Sequence, residues 1–503
     1  MRTQTAVSRA RGWARADLHW LLALSVVTSL VIKALVAFSP ALGRLNSDQA
    51  VLYLQARQVR HGHVGAWFWG QEYGGSLFQT LLGALFAVVG SHLWLLPVGV
   101  AAASTCVVLL TWRVGSALVN ERVGSGAAAL VALGPPTWLY FGVSSEPFYS
   151  LGLCASLGAL LLALRPVPLD AVRALQVGVL LGLSLWESPF SLITGVPAVA
   201  VLAHQVRPRP ALSVSVLLGT AVGGFPVTAA ALLRGSFLPQ GFHNDTGILD
   251  RTQAAGRTWA AVLLRFAPGF APGDALRWTA ITVLALCAVA CCLFAARSAG
   301  SITSRRRACV LAPVLLWVPF HVHYYLPSDP ASSRYGLVLL PFLALFAADV
   351  LQRAWHVVAL ASAGLLFTAS GLFQATDSLT LARDPQHNAS YAALAADLRA
   401  HHRTAVYADY WIAYRLAAET DERIVADAPA QSRWAPYRMA ADDAPAATIV
   451  VFAGRGNDRT LQHFFANQAR GVAQRVVVAQ FAVYYLDQPI SHPRLAPSSD
   501  LDR

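Results

Sequence analysis

The chain has 503 residues, long enough for about three ordinary domains. Hydrophobic residues make up 56% and charged residues 13%, with a mean hydropathy of +0.50. Soluble globular chains are nearer to about 45–50% apolar and about 25% charged, so a soluble protein and a disordered one are both excluded. The net charge of +12 does not mark a nucleic-acid binder: every cation but Lys33 is Arg, and the arginines gather in short clusters between apolar runs. That is the pattern of membrane topology signals.

The first apolar run, Leu21 to Phe38, follows Arg2, Arg9, Arg11 and Arg15. It shows no small-x-small cleavage site and reads as an anchor rather than a signal peptide, with the N-terminus cytoplasmic. Lys33 within it reads as a snorkelling cation. Further runs lie near 93–117, 122–143, 147–164, 172–187, 189–204, 211–233, 277–296, 308–325, 335–351 and 355–373. Together they predict about eleven transmembrane helices. Pro189 forbids a smooth helix through Trp186–Glu187–Ser188–Pro189, so the fifth and sixth spans also read as one broken helix. Alternation puts Arg113, Arg122, Arg165, Arg173, Arg207, Arg209, Arg305–Arg306–Arg307 and Arg353 inside, and the long segments at about 39–92 and 234–276 outside, with the tail from about 374. Short arginine-bearing loops inside and long loops outside are what the charge rule demands. The six cysteines lie in or beside apolar stretches and read as packing residues.

The fold class is therefore a polytopic α-helical membrane domain over 1–373, followed by a soluble extracytoplasmic α/β domain over 374–503. In the first outer loop, Leu77–Val89 is apolar but too short to span and reads as an interfacial helix. In the tail, Tyr391–His401 has helical spacing, and Ala405–Tyr407, Thr448–Phe452 and Arg475–Tyr485 read as strands. No internal repeat appears, which weighs against transporters built from inverted repeats.

Polar residues beside a span mouth are candidates for chemistry. The first outer loop concentrates them: Asn46-Ser-Asp-Gln49, Tyr53, Arg57, Arg60 and Trp67-Phe-Trp-Gly-Gln-Glu-Tyr-Gly-Gly-Ser76. Asp48 follows the first span by about ten residues, on a segment that predicts a helix to Arg60, where Ser47 or Asp48 would also serve as an N-cap.

Ser47-Asp-Gln-Ala-Val51, His61–Gly62 and Phe68-Trp-Gly-Gln-Glu-Tyr-Gly-Gly-Ser-Leu77 resemble the first periplasmic loop of bacterial GT-C glycosyltransferases, which include protein O-mannosyltransferases and aminoarabinose transferases. Ser332-Ser-Arg-Tyr335, Leu340-Pro341 and Tyr407-Ala-Asp-Tyr-Trp-Ile-Ala-Tyr414 extend the resemblance over most of the chain. It implies a bacterial cell-membrane enzyme that moves a sugar from a polyprenyl-phosphate donor to a glycan, lipid or protein acceptor on the outer face. Asp48 matches the family's catalytic carboxylate; Gln49 departs from the second acid common there.

A positioned carboxylate can take the proton of an acceptor hydroxyl. Glu146, before Pro147, is either a helix cap or a partner carboxylate, and Glu72 is a further acidic candidate. Asp48 and Glu146 would supply oxygen ligands for Mg²⁺ or Mn²⁺, although no DxD spacing is present. For the donor phosphate the first choice is Arg334, beside Tyr335 at the opening of the tenth span, with Tyr325 across the preceding turn and Arg57 reaching from the first loop. Tyr324, His321, His323 and Arg60 are nearby alternatives, and each arginine also reads as an interfacial anchor. The polar loop Gly241–Gly247 is a solvated turn or an acceptor-side lid. Tyr410, Trp411 and Tyr414 read as core aromatics before sugar-stacking ones. A single base opposite a phosphate leaving group implies inversion at the anomeric carbon. The rival reading is a transporter or flippase for lipid-linked glycans; a third is a non-catalytic, glycan-binding scaffold.

Overall fold

Leu95–Leu118 forms one 24-residue helix, which at about 1.5 Å per residue is long enough to cross a hydrocarbon core. It stands in a computed structural model that describes residues 2–38, 45–71, 74–134, 136–143, 147–188, 190–206, 209–234, 312–317, 336–351, 386–467, 472–490, 493 and 495. Among the described residues it is the one unbroken helix with the length and apolarity of a span. The run at 122–143 is instead two helices, Glu121–Ala132 and Pro136–Phe141. Consecutive prolines at 135 and 136 remove backbone donors and push the preceding residue out of helical dihedrals. The run at 211–233 is Pro210–Gly223 and Phe225–Leu233, bent by 75°. The helix Ala171–Glu187 ends on the extended residue Ser188, as the Pro189 argument requires, before Ser191–Thr194 and Val196–Val206. The expected spans at 277–296 and 355–373 lie outside the described residues.

The described residues fall into two compact units, one drawn from Met1–Phe38, Tyr73–Phe78 and Pro97–Asp377, the other from Ser39–Glu72, Gln79–Leu96 and Ser378–Arg503.

The first unit is helical. Among the described residues, Ala171–Glu187 packs closely on Pro210–Gly223. Each carries a G-x-x-x-G step, Gly178/Gly182 and Gly219/Gly223. A Cβ on these glycines would meet backbone carbonyl oxygens at 2.1, 2.4, 2.2 and 2.2 Å, so only hydrogen at all four positions allows the backbones to touch. Hydroxyl bonds add to the packing: Ser156 reaches Ser184 at 2.7 Å and Thr194 at 2.9 Å, and Ser184 donates to the Gly152 carbonyl at 2.8 Å. Lys33 does not snorkel. It is buried, 1% exposed, and a Cβ on Gly142 would lie 3.0 Å from its Cε.

The second unit is an α/β module. Strands β1 (Ala405–Ala408), β2 (Val425–Asp427), β3 (Thr448–Phe452), β4 (Val472–Val478) and β5 (Phe481–Leu486) make one sheet in the order β2-β1-β3-β5-β4. β1 runs parallel to β2 and β3, while β5 is antiparallel to β3 and β4, with Val450 opposite Val483. β3 and β5 are buried along their whole length, which fits interior strands covered on both faces. The expected single strand over Arg475–Tyr485 is a hairpin. It turns at Ala479, whose φ of 52° is a conformation ordinarily signalled by Gly, Asn or Asp. The expected helix at Tyr391–His401 is Gln386–Ala400. Two segments that precede Leu95–Leu118 contribute to this unit, Ser39–Glu72 and Gln79–Leu96. Ser47–Arg60 packs on Tyr410–Glu419, and Leu77–Val89 comes against Ser47–Arg60 at Gly83, where a Cβ would lie 2.6 Å from the Ala56 carbonyl oxygen.

Candidate active site

The helix Ser47–Arg60 begins with a capping box. Asn46 Oδ1 accepts from the Gln49 amide at 2.8 Å, and Gln49 Oε1 accepts from the Asn46 amide at 3.1 Å. Asn46, not Ser47 or Asp48, is therefore the N-cap. Gln49 has a local reason for standing where a second acid was expected: it is the third helical residue of the box, a place suited to Gln or Glu.

Asp48, in the first turn, is half-buried. Its Oδ1 accepts a hydrogen bond from the phenol of Tyr410. Tyr410 opens its helix directly after Asp409, at the carboxyl end of β1, where parallel α/β sheets present ligand-facing residues. Asp409 is held by the Phe452 amide at 3.3 Å and by Asn457 Nδ2. Ser47 Oγ donates to the Tyr410 carbonyl at 2.5 Å, so adjacent residues of the Asp48 helix engage one tyrosine through its backbone and its hydroxyl. Tyr410 is 4% exposed; burial first and the Asp48 charge second push its pKa well above the usual tyrosine range, against the pull of Arg433.

Arg433 completes the group. Its Nη2 donates to Tyr410 Oη at 3.3 Å, and its Nη1 donates to the carbonyls of Gly70 at 2.9 Å and Trp69 at 3.4 Å. Its guanidinium carbon lies 5.1 Å from the Tyr410 ring centre and 5.8 Å from that of Phe68. Trp434 stacks on Trp69 with centroids 4.3 Å apart and planes 8° from parallel. Gln55 holds the same loop, donating to the Trp67 carbonyl at 2.8 Å and accepting from the Trp69 amide at 3.3 Å. The aromatic run of the first loop is thus tied to residues 433–434 of the tail.

Arg57 lies at the other end of the Asp48 helix. It meets Asp421 at 2.8 Å and Glu422 at 3.2 Å, and Glu422 also accepts from Gln58 at 3.0 Å and Tyr437 at 2.6 Å. Glu72, Glu146, Arg334, Tyr335 and Tyr325 lie outside the described residues, as do Tyr324, His321, His323 and the Gly241–Gly247 loop.

No family model matches the chain, and no curated protein does. Solved structures do. ArnT from Cupriavidus metallidurans in the apo state is similar with a TM-score of 0.56 at 12% identity, over 95% of this chain and 98% of that one. The same enzyme bound to undecaprenyl phosphate gives 0.53 at 13% identity over the same shares. The chain has a GT-C-like fold. That agrees with the motif resemblance, and a GT-C-like fold is a polytopic membrane fold.

Two members of this GT-C-like chain's candidate site escape a reading of the sequence. Tyr410 stands in the Tyr407–Tyr414 motif and is indeed core, with Trp411 and Tyr414 buried beside it, yet its hydroxyl reaches Asp48. Arg433 carries no motif, and its contact with residue 70 appears only in the folded chain. Glu146, the second oxygen donor expected for a divalent cation beside Asp48, lies outside the described residues. Among the described residues no three His, Cys, Asp or Glu side chains converge.

Proposed function

We propose that this protein is an inverting glycosyltransferase of the bacterial inner membrane. It moves a sugar from a polyprenyl-phosphate donor to an acceptor hydroxyl on the outer face, with Asp48 as general base. The observation that carries the reading is the oriented Asp48 carboxylate, in a chain with the fold of an enzyme crystallised with undecaprenyl phosphate. The acceptor O–H gives its proton to Asp48 as its oxygen attacks the anomeric carbon. The bond from that carbon to the phosphate oxygen breaks, and polyprenyl monophosphate leaves with the electron pair. Attack opposite the leaving group inverts the centre, and no covalent enzyme intermediate is needed.

The leaving phosphate needs cationic donors. Arg334 remains the first candidate, with Tyr335 and Tyr325 as further ones; Arg57 is the weaker one because two carboxylates already hold it. Glu146 is assigned to orienting the acceptor or to holding a divalent ion with Asp48, and Glu72 is a further acidic candidate. About eleven spans, a cytoplasmic N-terminus and an extracytoplasmic α/β domain complete the reading.

The test incubates membranes containing the protein with undecaprenyl-phosphate-linked labelled aminoarabinose or mannose and measures release of undecaprenyl phosphate. Asp48→Asn should lower release by roughly 10²- to 10⁴-fold. Equal release from both removes Asp48 from the mechanism. No release by wild type from either donor, with protein-dependent movement of the intact lipid across the bilayer, would replace the transferase with the flippase.

A further inference from the structure

We propose that Tyr410 and Arg433 are positioning residues for Asp48, so that the α/β module is part of the catalytic apparatus rather than an appendage. The inference rests on the transferase reading above.

A carboxylate in the first turn of a helix has competing uses. Its side chain can rotate to solvent or fold back onto the helix's own first amides. Here Asn46 holds the cap, and Asp48 is engaged from outside its helix by Tyr410. That phenol has little freedom. Its ring is buried, Ser47 Oγ fixes its carbonyl, and Arg433 lies over its ring while donating to its hydroxyl. Burial and the neighbouring Asp48 charge keep Tyr410 protonated, so it donates to Asp48 and does not compete for the acceptor's proton. Arg433 is anchored in turn by the Gly70 and Trp69 carbonyls and, through its backbone amide, by Tyr414 Oη at 2.5 Å. The chain of support runs from the core of the sheet module to one carboxylate oxygen. A misplacement of a reacting group by about 1 Å can lower a rate about 10²-fold, so such support acts on turnover rather than on binding.

The experiment uses the full chain in native membranes, with the same two labelled donors, and separates kcat from donor KM. Tyr410→Phe keeps the ring and removes the hydroxyl; kcat should fall about 10- to 100-fold with donor KM within about twofold. Arg433→Gln should do the same, and Arg433→Lys, which keeps the charge without the fork, should fall less. The double variant Tyr410→Phe/Arg433→Gln should be little worse than Tyr410→Phe, because both act through one hydrogen bond. Wild-type kcat in Tyr410→Phe, or additive losses in the double variant, overturns the proposal while leaving Asp48 as base. If Tyr410→Phe does not accumulate, the Arg433 pair decides alone: equal kcat for Gln, Lys and wild type refutes it. An active Asp48→Asn instead sinks the transferase reading, a separate failure.

Discussion

Gly70 and Arg433 approach so closely that a Cβ on the glycine would lie 2.5 Å from the arginine's Cδ. Gly70 also has a φ of +66°, which side-chain-bearing residues adopt at a cost of about 1–2 kcal/mol. The loop thus passes beneath the guanidinium only with glycine there, and its carbonyl accepts from Arg433 Nη1 at 2.9 Å. Gly70→Ala should strain the loop and displace Arg433. The expected result is a loss of sugar transfer comparable to Arg433→Gln with the protein still present in the membrane. Full activity in Gly70→Ala would mean that the loop tolerates rearrangement.

A second close approach lies in the helical unit. With carbonyl oxygens 2.1–2.4 Å from the Cβ positions of Gly178, Gly182, Gly219 and Gly223, any side chain must push the two helices apart. Small residues at such a seam let backbone dispersion and weak hydrogen bonds hold helices together where lipid supplies no hydrophobic drive. Gly178→Leu should lower stability by at least about 1–3 kcal/mol, the usual range for overpacking. A thermal shift in detergent measures it, with Leu217→Ala, on an exposed site of the partner helix, as the control expected to change little.

Composition indicates the membrane fold, because it depends on short-range pattern; the G-x-x-x-G steps are short-range too, but their meaning appears only once the two helices are seen to pack on each other. Leu77–Val89 appears as a helix with the bounds its apolar run predicts. The β4–β5 turn does not announce itself, because Ala479 occupies a position ordinarily given to Gly or Asn. The Asp48 partners are hidden for another reason: Tyr410 and Arg433 follow it by 362 and 385 residues, and no local periodicity encodes a contact of that range. Gln49 departs from the family's acidic pattern, and its role in the capping box appears only once the helix start is known.

Arg57 offers a way to separate structural from donor-binding roles. Its pairs with Asp421 and Glu422 are partly exposed, and such pairs contribute about 0–1 kcal/mol. If Arg57 acts only as a strut, Arg57→Gln should lower the thermal midpoint slightly, Glu422→Gln, which also weakens the bonds from Gln58 and Tyr437, should lower it somewhat more, and donor KM should stay unchanged in both. A rise in donor KM confined to Arg57→Gln would instead give it the phosphate role that the sequence suggests.

The tail also carries a built-in acid limit. Asp458 is buried, 0% exposed, and burial works against its charge. Hydrogen bonds outweigh that cost: Arg475 Nη2 donates to Oδ2 at 2.8 Å, the Gly454 amide to Oδ2 at 2.7 Å, and the Tyr484 phenol to Oδ1. Together they hold its pKa down to about 2. An unfolded Asp titrates near about 3.9, so the unfolded chain takes up the proton first as pH falls. The stabilisation is fully present above about pH 4 and disappears between there and about pH 2. Urea midpoints of the full-length protein should drop through that window in wild type, and the drop should be smaller in Asp458→Asn, which has nothing to protonate. Arg475 is 32% exposed, so water can solvate it in that variant. Equal drops in the two proteins would assign the acid sensitivity to other groups.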